Sequence, residues 1–387
     1  MTRNTQWIII TIFGLAAVAM SLLHPILPLY LSALEITPEI IGLMFSVSMI
    51  AMAIGEGYWG WAADRAGAWM PLAVGTFLCG FTVLLFTLVQ ELFYIFIIFF
   101  FWGLFRSAIF GPSRGFIAAG APVGKKTTRL AIVTAIIAVS SSLGALPSGF
   151  IAETWGFKTV FYFSATVSFL GGLLVLWGYR NTIPVKYKLR GRFKLKLNKE
   201  SKALTLQCLV TAFQFFGLGV IVAFLPLLVT GRTGVSMAEV GILVSVRGLV
   251  AMLFSIPMGM LADRIGTKIM MFFGLLITAL AMAAFSFAGS FAAFVFIVVL
   301  YNIGYTAFSP AALSLFSSSS PPDRQGTAMG FYGAICENTG IVAGSAVGGF
   351  IWSAWGGQAA FMSGAAASLI GAFIFILFIK LNVNSCN

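Results

Sequence analysis

The sequence predicts an all-α integral membrane protein: twelve transmembrane helices in two pseudo-symmetric bundles of six. Three observations carry this. The chain is 60% hydrophobic and 9% charged, with a mean hydropathy of +1.01, whereas soluble domains carry about 25% charged residues. The octet GWAADRAG at 60–67 recurs as GMLADRIG at 259–266, and each copy interrupts long apolar stretches. Lys and Arg crowd into alternate loops.

A spanning helix needs about 20 mostly apolar residues. Breaks at charge, Gly and Pro clusters leave spans near 7–32, 39–61, 70–89, 92–114, 130–151, 158–179, 204–229, 239–261, 269–289, 291–315, 327–351 and 358–379. The first run, from Trp7 behind Arg3, extends to about Leu34. That exceeds the roughly 7–15 residues of a signal-peptide core, so it reads as a first membrane helix. His24 lies in it, followed by Pro25 and Pro28, which break the helix near its end. The ninth and tenth spans are separated only by Gly289 and Ser290.

Nineteen of the 23 Lys and Arg fall on one face, including Arg3, Arg65, Arg264, Lys268 and the central run from Arg180 to Lys202. The positive-inside rule places that face, both termini and the central loop in the cytoplasm. The net charge of +12 is then topology facing anionic headgroups, not a nucleic-acid surface. The expected organisation is a six-helix bundle over 1–179, a basic linker over 180–203 and a second bundle over 204–387.

The duplication runs beyond the octet. At an offset of 199, Gly42, Ser46, Val47 and Gly75 match Gly241, Ser245, Val246 and Gly274. At 200, Gly144, Gly149, Phe150, Ile151, Trp155, Gly156 and Phe161 match Gly344, Gly349, Phe350, Ile351, Trp355, Gly356 and Phe361. At 198, Leu27-Pro28-Leu29 matches Leu225-Pro226-Leu227. Six spans per copy make the repeats parallel, related by an axis along the membrane normal.

Here the chain resembles the major facilitator superfamily of secondary transporters. The residues that carry the resemblance are the loop motif Gly60, Asp64, Arg65 and Gly67, with Ala68 and Trp69 where the family has basic residues, and its second copy Gly259, Asp263, Arg264, Gly266 and Lys268. The glycines are expected to allow turns and close approach of helices. Asp64 can pair with a cation or a helix N-terminus, latching the cytoplasmic side; the plainer alternative is a topology-pinning turn. The resemblance implies a cavity ringed by helices 1, 4, 7 and 10, whose polar and aromatic residues are Tyr30, Gln207, Gln214, Tyr301, Asn302 and Tyr305, with Asn338 nearby on helix 11. Drug antiporters of the superfamily often carry G-P-x-x-G-G in helix 5; SSSLGALPSG at 140–149 keeps Gly144 and Gly149 but displaces the proline to Pro147. Close packing is the alternative use of those glycines.

Ionised groups inside spans cost about 2.5–3.5 kcal/mol even on the mildest scale, so they mark function. They are Glu56, Arg106, Arg247 and Glu337, together with the single histidine, His24. Depth along the helices predicts that Glu56 approaches Arg106 and that Arg247 approaches Glu337. Ser48 and Ser255 occupy the repeat positions of Arg247 and Glu56, so the charges break the symmetry of the scaffold. A carboxylate whose arginine is alternately exposed and screened can gain and lose a proton; static ion pairs are the alternative. Arg106 also resembles the helix-4 arginine of proton-coupled family members, although Phe110 stands where their pattern has glycine.

The expected activity is alternating-access transport, with proton-coupled efflux of small organic or amphipathic molecules ahead of organic-anion or sugar transport, and a receptor without transport further behind. The expected partners are a small-molecule substrate, protons and the lipid bilayer, in a monomer without cofactor, metal or nucleic acid, in the plasma membrane of a prokaryotic cell. No GxxxxGK[ST] loop is present for ATP-driven transport. Cys79, Cys208, Cys336 and Cys386 show no CxxC or metal-ligand spacing. They are expected to be free, three of them acting as small hydrophobes.

Overall fold

A computed structural model describes residues 14–66, 69–119, 126–180, 199–318 and 331–383, with side chains described throughout these except at 64–66, 110–119, 126–137, 179–180, 199–203 and 378–383. Every regular element among the described residues is helical. In the first half, α1 spans Gly14–Ala33, α2 Pro38–Ala66, α3 Trp69–Leu88, α4 Leu92–Ala119, α5 Lys126–Trp155 and α6 Phe157–Arg180. In the second, α7 spans Lys199–Thr233, α8 Met237–Ile265, α9 Thr267–Phe285 and α10 Phe291–Ser318. A π-helical turn, Tyr332–Glu337, leads into the run Asn338–Val383, which breaks at Gly356. Residues 332–355 are α11 and 357–383 are α12. Ten helical runs among the described residues are long and apolar enough to cross a membrane, α11 and α12 counting as one. The serine- and glycine-bearing α5 is the remaining helix.

The breaks have local causes. Pro25 has no N–H, and α1 re-forms around it through Ile26 N–H to Leu23 O (3.1 Å) and Leu27 N–H to Leu23 O (2.8 Å). α2 opens on Pro38 with Glu39 in its first turn, where a missing N–H costs nothing and a carboxylate suits the helix dipole. α8 opens on a capping box: Glu239 N–H donates to Ser236 Oγ (3.3 Å) and Ser236 N–H to Glu239 Oε2 (2.9 Å). The Trp-Gly turns that end α5 and α11 are twins, with φ 82° at Gly156 and 81° at Gly356, a backbone that glycine adopts without steric penalty.

The repeated residues converge on close helix contacts. A Cβ at Gly144 would collide with Val18 of α1; one at Gly344 would collide with Phe216 of α7. The next repeated pair reaches across the halves: Gly149 of α5 lies against Met237 and Ala238 of α8, and Gly349 of α11 lies against Pro38 and Glu39 of α2. Gly241 faces the Ala145 carbonyl, as Gly42 faces that of Ser345. Ser142 Oγ donates to Ser245 O (2.8 Å), and Ser46 Oγ donates to Val342 O (2.9 Å). Every one of these contacts maps onto its twin at an offset of 198–200. The repeated small residues are therefore the material of two seams, α5·α8 and α2·α11. Small side chains let backbones meet, which is what drives helix association in lipid.

Two compact units follow. One comprises Met1–Ile36, Val47–Arg190 and Pro226–Met252, and the other Thr37–Ser46, Gly191–Leu225 and Leu253–Asn387. Each therefore holds one complete seam. The second unit has a core of α7, α9, α10, α11 and α12 residues, among them Phe215, Leu275, Phe308, Phe316, Tyr332 and Phe375. Large apolar side chains such as Leu88, Phe93 and Phe287 stand exposed, a surface suited to lipid and not to water.

Candidate functional site

Four of the five intramembrane titratable or charged residues, His24, Glu56, Arg106 and Arg247, fall in the first unit. Arg106 is 6% exposed. α4 reaches α2 closely here because Gly103 lies against the Ser48 backbone and Gly55 against Ser107 and Leu104. Trp59 Nε1 pins the same contact by donating to Leu104 O (2.9 Å). Arg106 Nη2 donates to two thioethers, Met49 Sδ (3.4 Å) and Met52 Sδ (3.1 Å). Its guanidinium carbon sits 4.8 Å from the centroid of the Trp102 ring, a cation–π contact. Arg106 lies within electrostatic range of the Glu56 carboxylate.

His24 is half-buried in the α1 turn and feels the charges of both Arg106 and Arg247. Arg247 is half-buried on α8. Glu337 closes the π-helical turn of the second unit, where it acts on the Tyr332 hydroxyl. π-turns in α-helices recur at functional sites. Helix spacing gives the depth of these side chains but not the direction in which each helix turns them, so the electrostatic reach of both arginines to His24 is not legible in the sequence.

In the second unit, Tyr301 stacks on Tyr305 (6.4 Å, 15°), which meets Phe215 edge-on (5.9 Å). Gln214 Oε1 accepts from Thr278 Oγ1 (2.9 Å), while Gln214 Nε2 and Asn338 Nδ2 are buried without a hydrogen-bond partner. Among the described residues, Gln214 and Asn338 thus keep unspent amide donors. Tyr30, Gln207 and Asn302 do not. Tyr30 donates to Phe86 O (3.1 Å) and packs between the rings of Phe157 and Phe161. Gln207 Nε2 donates to Ala312 O (2.7 Å), and Asn302 Nδ2 to Val298 O one turn back (2.8 Å). Buried amides and hydroxyls without water take backbone carbonyls, and the donors of Tyr30, Gln207 and Asn302 are spent in this way.

Two further expectations are corrected. Cys208 and Cys336 are not free: they form a disulfide between α7 and the π-turn, with Cα atoms 4.6 Å apart and 128 residues between them in sequence. Local spacing carries no trace of so distant a partner. Cys79 is free and buried, and Cys386 lies outside the described residues. Nor does Gly60 or Gly259 provide close approach, since a Cβ on either would meet nothing within 4 Å among the described residues. The turn is carried instead by Gly266, at φ 99° and ψ 138° ahead of α9. Asp263 and Arg264 are exposed and Lys268 is half-buried. The side chains of Asp64 and Arg65, and Gly67 itself, lie outside what is described.

Trp102, Met49 and Met52, which touch Arg106, and Ser48, whose backbone meets Gly103, were missed by sequence reasoning. The one available signal was Trp102 standing four residues before Arg106, a spacing that stacks side chains on one helical face.

The sequence profile of the Major Facilitator Superfamily matches residues 9–208 and 207–384. The chain is 26% identical over 378 residues to the multidrug resistance protein MdtG of Klebsiella pneumoniae (strain 342), covering 95% of this chain and 91% of that protein. It is 27% identical over 370 residues to MdtG of Salmonella choleraesuis (strain SC-B67), covering 92% and 91%. The crystal structure of the nucleoside transporter NupG shares the fold with a TM-score of 0.81 at 16% identity, covering 97% of this chain and 99% of that one.

Proposed function

Because the chain belongs to the Major Facilitator Superfamily, and so is a multi-pass membrane transporter and not an enzyme, we propose that it exports small organic, amphipathic compounds in exchange for protons by alternating access. The observation that carries this is the Glu56 carboxylate within electrostatic reach of the buried Arg106. Burial favours the protonated acid and the guanidinium favours the carboxylate, so a conformational change that alters either would load or release a proton. Glu337, on the π-helical turn of the second unit, is a second carboxylate that could carry the proton, and His24 is a third group able to titrate.

The rocking bodies are the six-helix bundles 1–179 and 204–387, joined by 180–203, in a monomer with cytoplasmic termini. Opening the outer side parts the α2·α11 and α5·α8 seams, whose contacts are small residues and single hydrogen bonds. The paired octets, through Asp64, Arg65, Asp263 and Arg264, latch the opposite side. Gln214, Tyr301, Tyr305 and Asn338 line the path of the cargo. Support for efflux comes from relatives named as multidrug resistance proteins.

The test is a thermal-shift panel of amphipathic compounds on purified protein, followed by flux of each hit in proteoliposomes with an imposed pH gradient. Accumulation that follows the gradient supports the proposal. Flux indifferent to the gradient overturns the proton coupling.

A further inference from the structure

We propose that the α2–α4 contact around Arg106 is an oxyanion-binding site, which takes a carboxylate, phosphate or sulfate group of an otherwise apolar molecule. That this molecule is the cargo rests on the transport reading; that the site binds an oxyanion does not.

Three donors here are nine-tenths or more buried and have no hydrogen-bond partner among the described residues: Ser48 Oγ, Trp102 Nε1 and Arg106 Nε. Buried donors are nearly always satisfied, and these three lie on facing stretches of two helices in backbone contact at Ser48 and Gly103. The Nε–H and Nη2–H of a guanidinium form one side-on edge that matches two oxygens of an oxyanion. In Arg106, Nε is unspent and Nη2 is engaged only by Met49 and Met52. A thioether is a weak acceptor on a flexible stem, so an oxyanion displaces it as the better partner, and the methionines then offer apolar surface to the rest of the ligand.

Charge points the same way. Away from the helix ends, this unit holds Arg106 and Arg247 against the carboxylate of Glu56 among the described residues, Glu239 standing in the opening turn of α8. One positive charge is in excess with His24 neutral, and two with His24 protonated; a monoanion neutralises the first. Uncompensated charge is unfavourable at membrane depth. The second half has no counterpart, because the repeat position of Arg106 at an offset of 198 is Gly304, which packs against Thr278. The site is thus an addition to the duplicated scaffold and not a feature of it.

The experiment measures equilibrium binding of 1-naphthoate, 1-naphthalenemethanol and 1-naphthylmethylammonium, three probes of matched apolar size, to the full chain in phosphatidylcholine nanodiscs. Naphthoate is expected to bind about tenfold or more tightly than the other two, and Arg106→Gln to remove about tenfold or more of its affinity. Arg106→Lys should fall between. Trp102→Phe and Ser48→Ala, which each delete one donor with little change of shape, should weaken naphthoate by a few-fold and keep the claim testable if Arg106→Gln does not fold. Repeating the titration in phosphatidylglycerol nanodiscs separates the sources of the oxyanion: competition marks a lipid headgroup as occupant, and unchanged affinity marks a soluble one. Equal binding of the three probes, or naphthoate affinity untouched by Trp102→Phe, Ser48→Ala and Arg106→Gln, overturns the site. No gradient is applied, so failure of proton coupling leaves this result standing.

Discussion

Glu153 Oε2 accepts a 3.0 Å hydrogen bond from the backbone N–H of Ala238, so that the end of α5 caps the start of α8. The twin seam makes the same closure with its chemistry exchanged. Ser353, the repeat position of Glu153, donates to Glu39, the repeat position of Ala238. In the α5·α8 seam the partner helix thus brings a carboxylate to a helix N-terminus that already has its own Glu239, whereas in the α2·α11 seam the carboxylate, Glu39, belongs to the capped helix itself.

Glu153→Ala removes a charged cap from α8. Caps of this kind contribute about 0.3–1 kcal/mol, and Glu153 is exposed, which favours the lower end. The seam should open about two- to fivefold more often. The readout is the maleimide labelling rate of a cysteine placed at Ala238, which should rise by that factor in the Glu153→Ala background.

Gly42→Val and Gly149→Val place branched side chains where even a Cβ collides with the carbonyls of Ser345 and Met237. Neither seam can then close. Both variants should insert in the membrane at normal levels and lose nearly all substrate exchange in proteoliposomes. Normal exchange in either would show that its seam need not close.

The two glycines of the second octet should respond with opposite signs. Gly266 stands at φ 99°, a region that costs other residues about 1–3 kcal/mol, so Gly266→Ala should lower the melting temperature. Gly259 is helical with open space around its Cβ position, and Gly259→Ala should be neutral or stabilise by about 0.5–1 kcal/mol. Thermal unfolding of the detergent-purified variants checks both.

Tyr30→Phe deletes the hydrogen bond to Phe86 O and should destabilise by about 1 kcal/mol while leaving substrate affinity unchanged. A weakened affinity with an unchanged melting temperature would return Tyr30 to the cavity.

Much of this architecture is legible in the chain. Hydropathy and helix breakers mark each helix, even the narrow cut at Gly289 and Ser290, because lipid forces every backbone group into a helix. The repeat offsets identify Gly144, Gly149, Gly344 and Gly349 as special, since close backbone contact leaves glycine no substitute. What the repeat does not reveal is which helix each glycine meets: Gly149 finds α8 in the other half of the chain. The site was half legible. Charge in a span is rare enough to flag Glu56 and Arg106, but Trp102 and Ser48 are ordinary residues until their unspent donors are seen at the same α2–α4 contact. Tyr30, Gln207 and Asn302 look like cavity residues by type alone, and only their carbonyl partners reveal that their donors are spent.

Proton coupling through intramembrane carboxylates is tested most directly by pH-driven accumulation of a transported compound in proteoliposomes carrying wild-type, Glu56→Gln or Glu337→Gln protein, with substrate–substrate exchange measured in parallel. The variant lacking the proton-carrying carboxylate should lose gradient-driven accumulation and retain exchange. Wild-type accumulation in both variants would contradict the account.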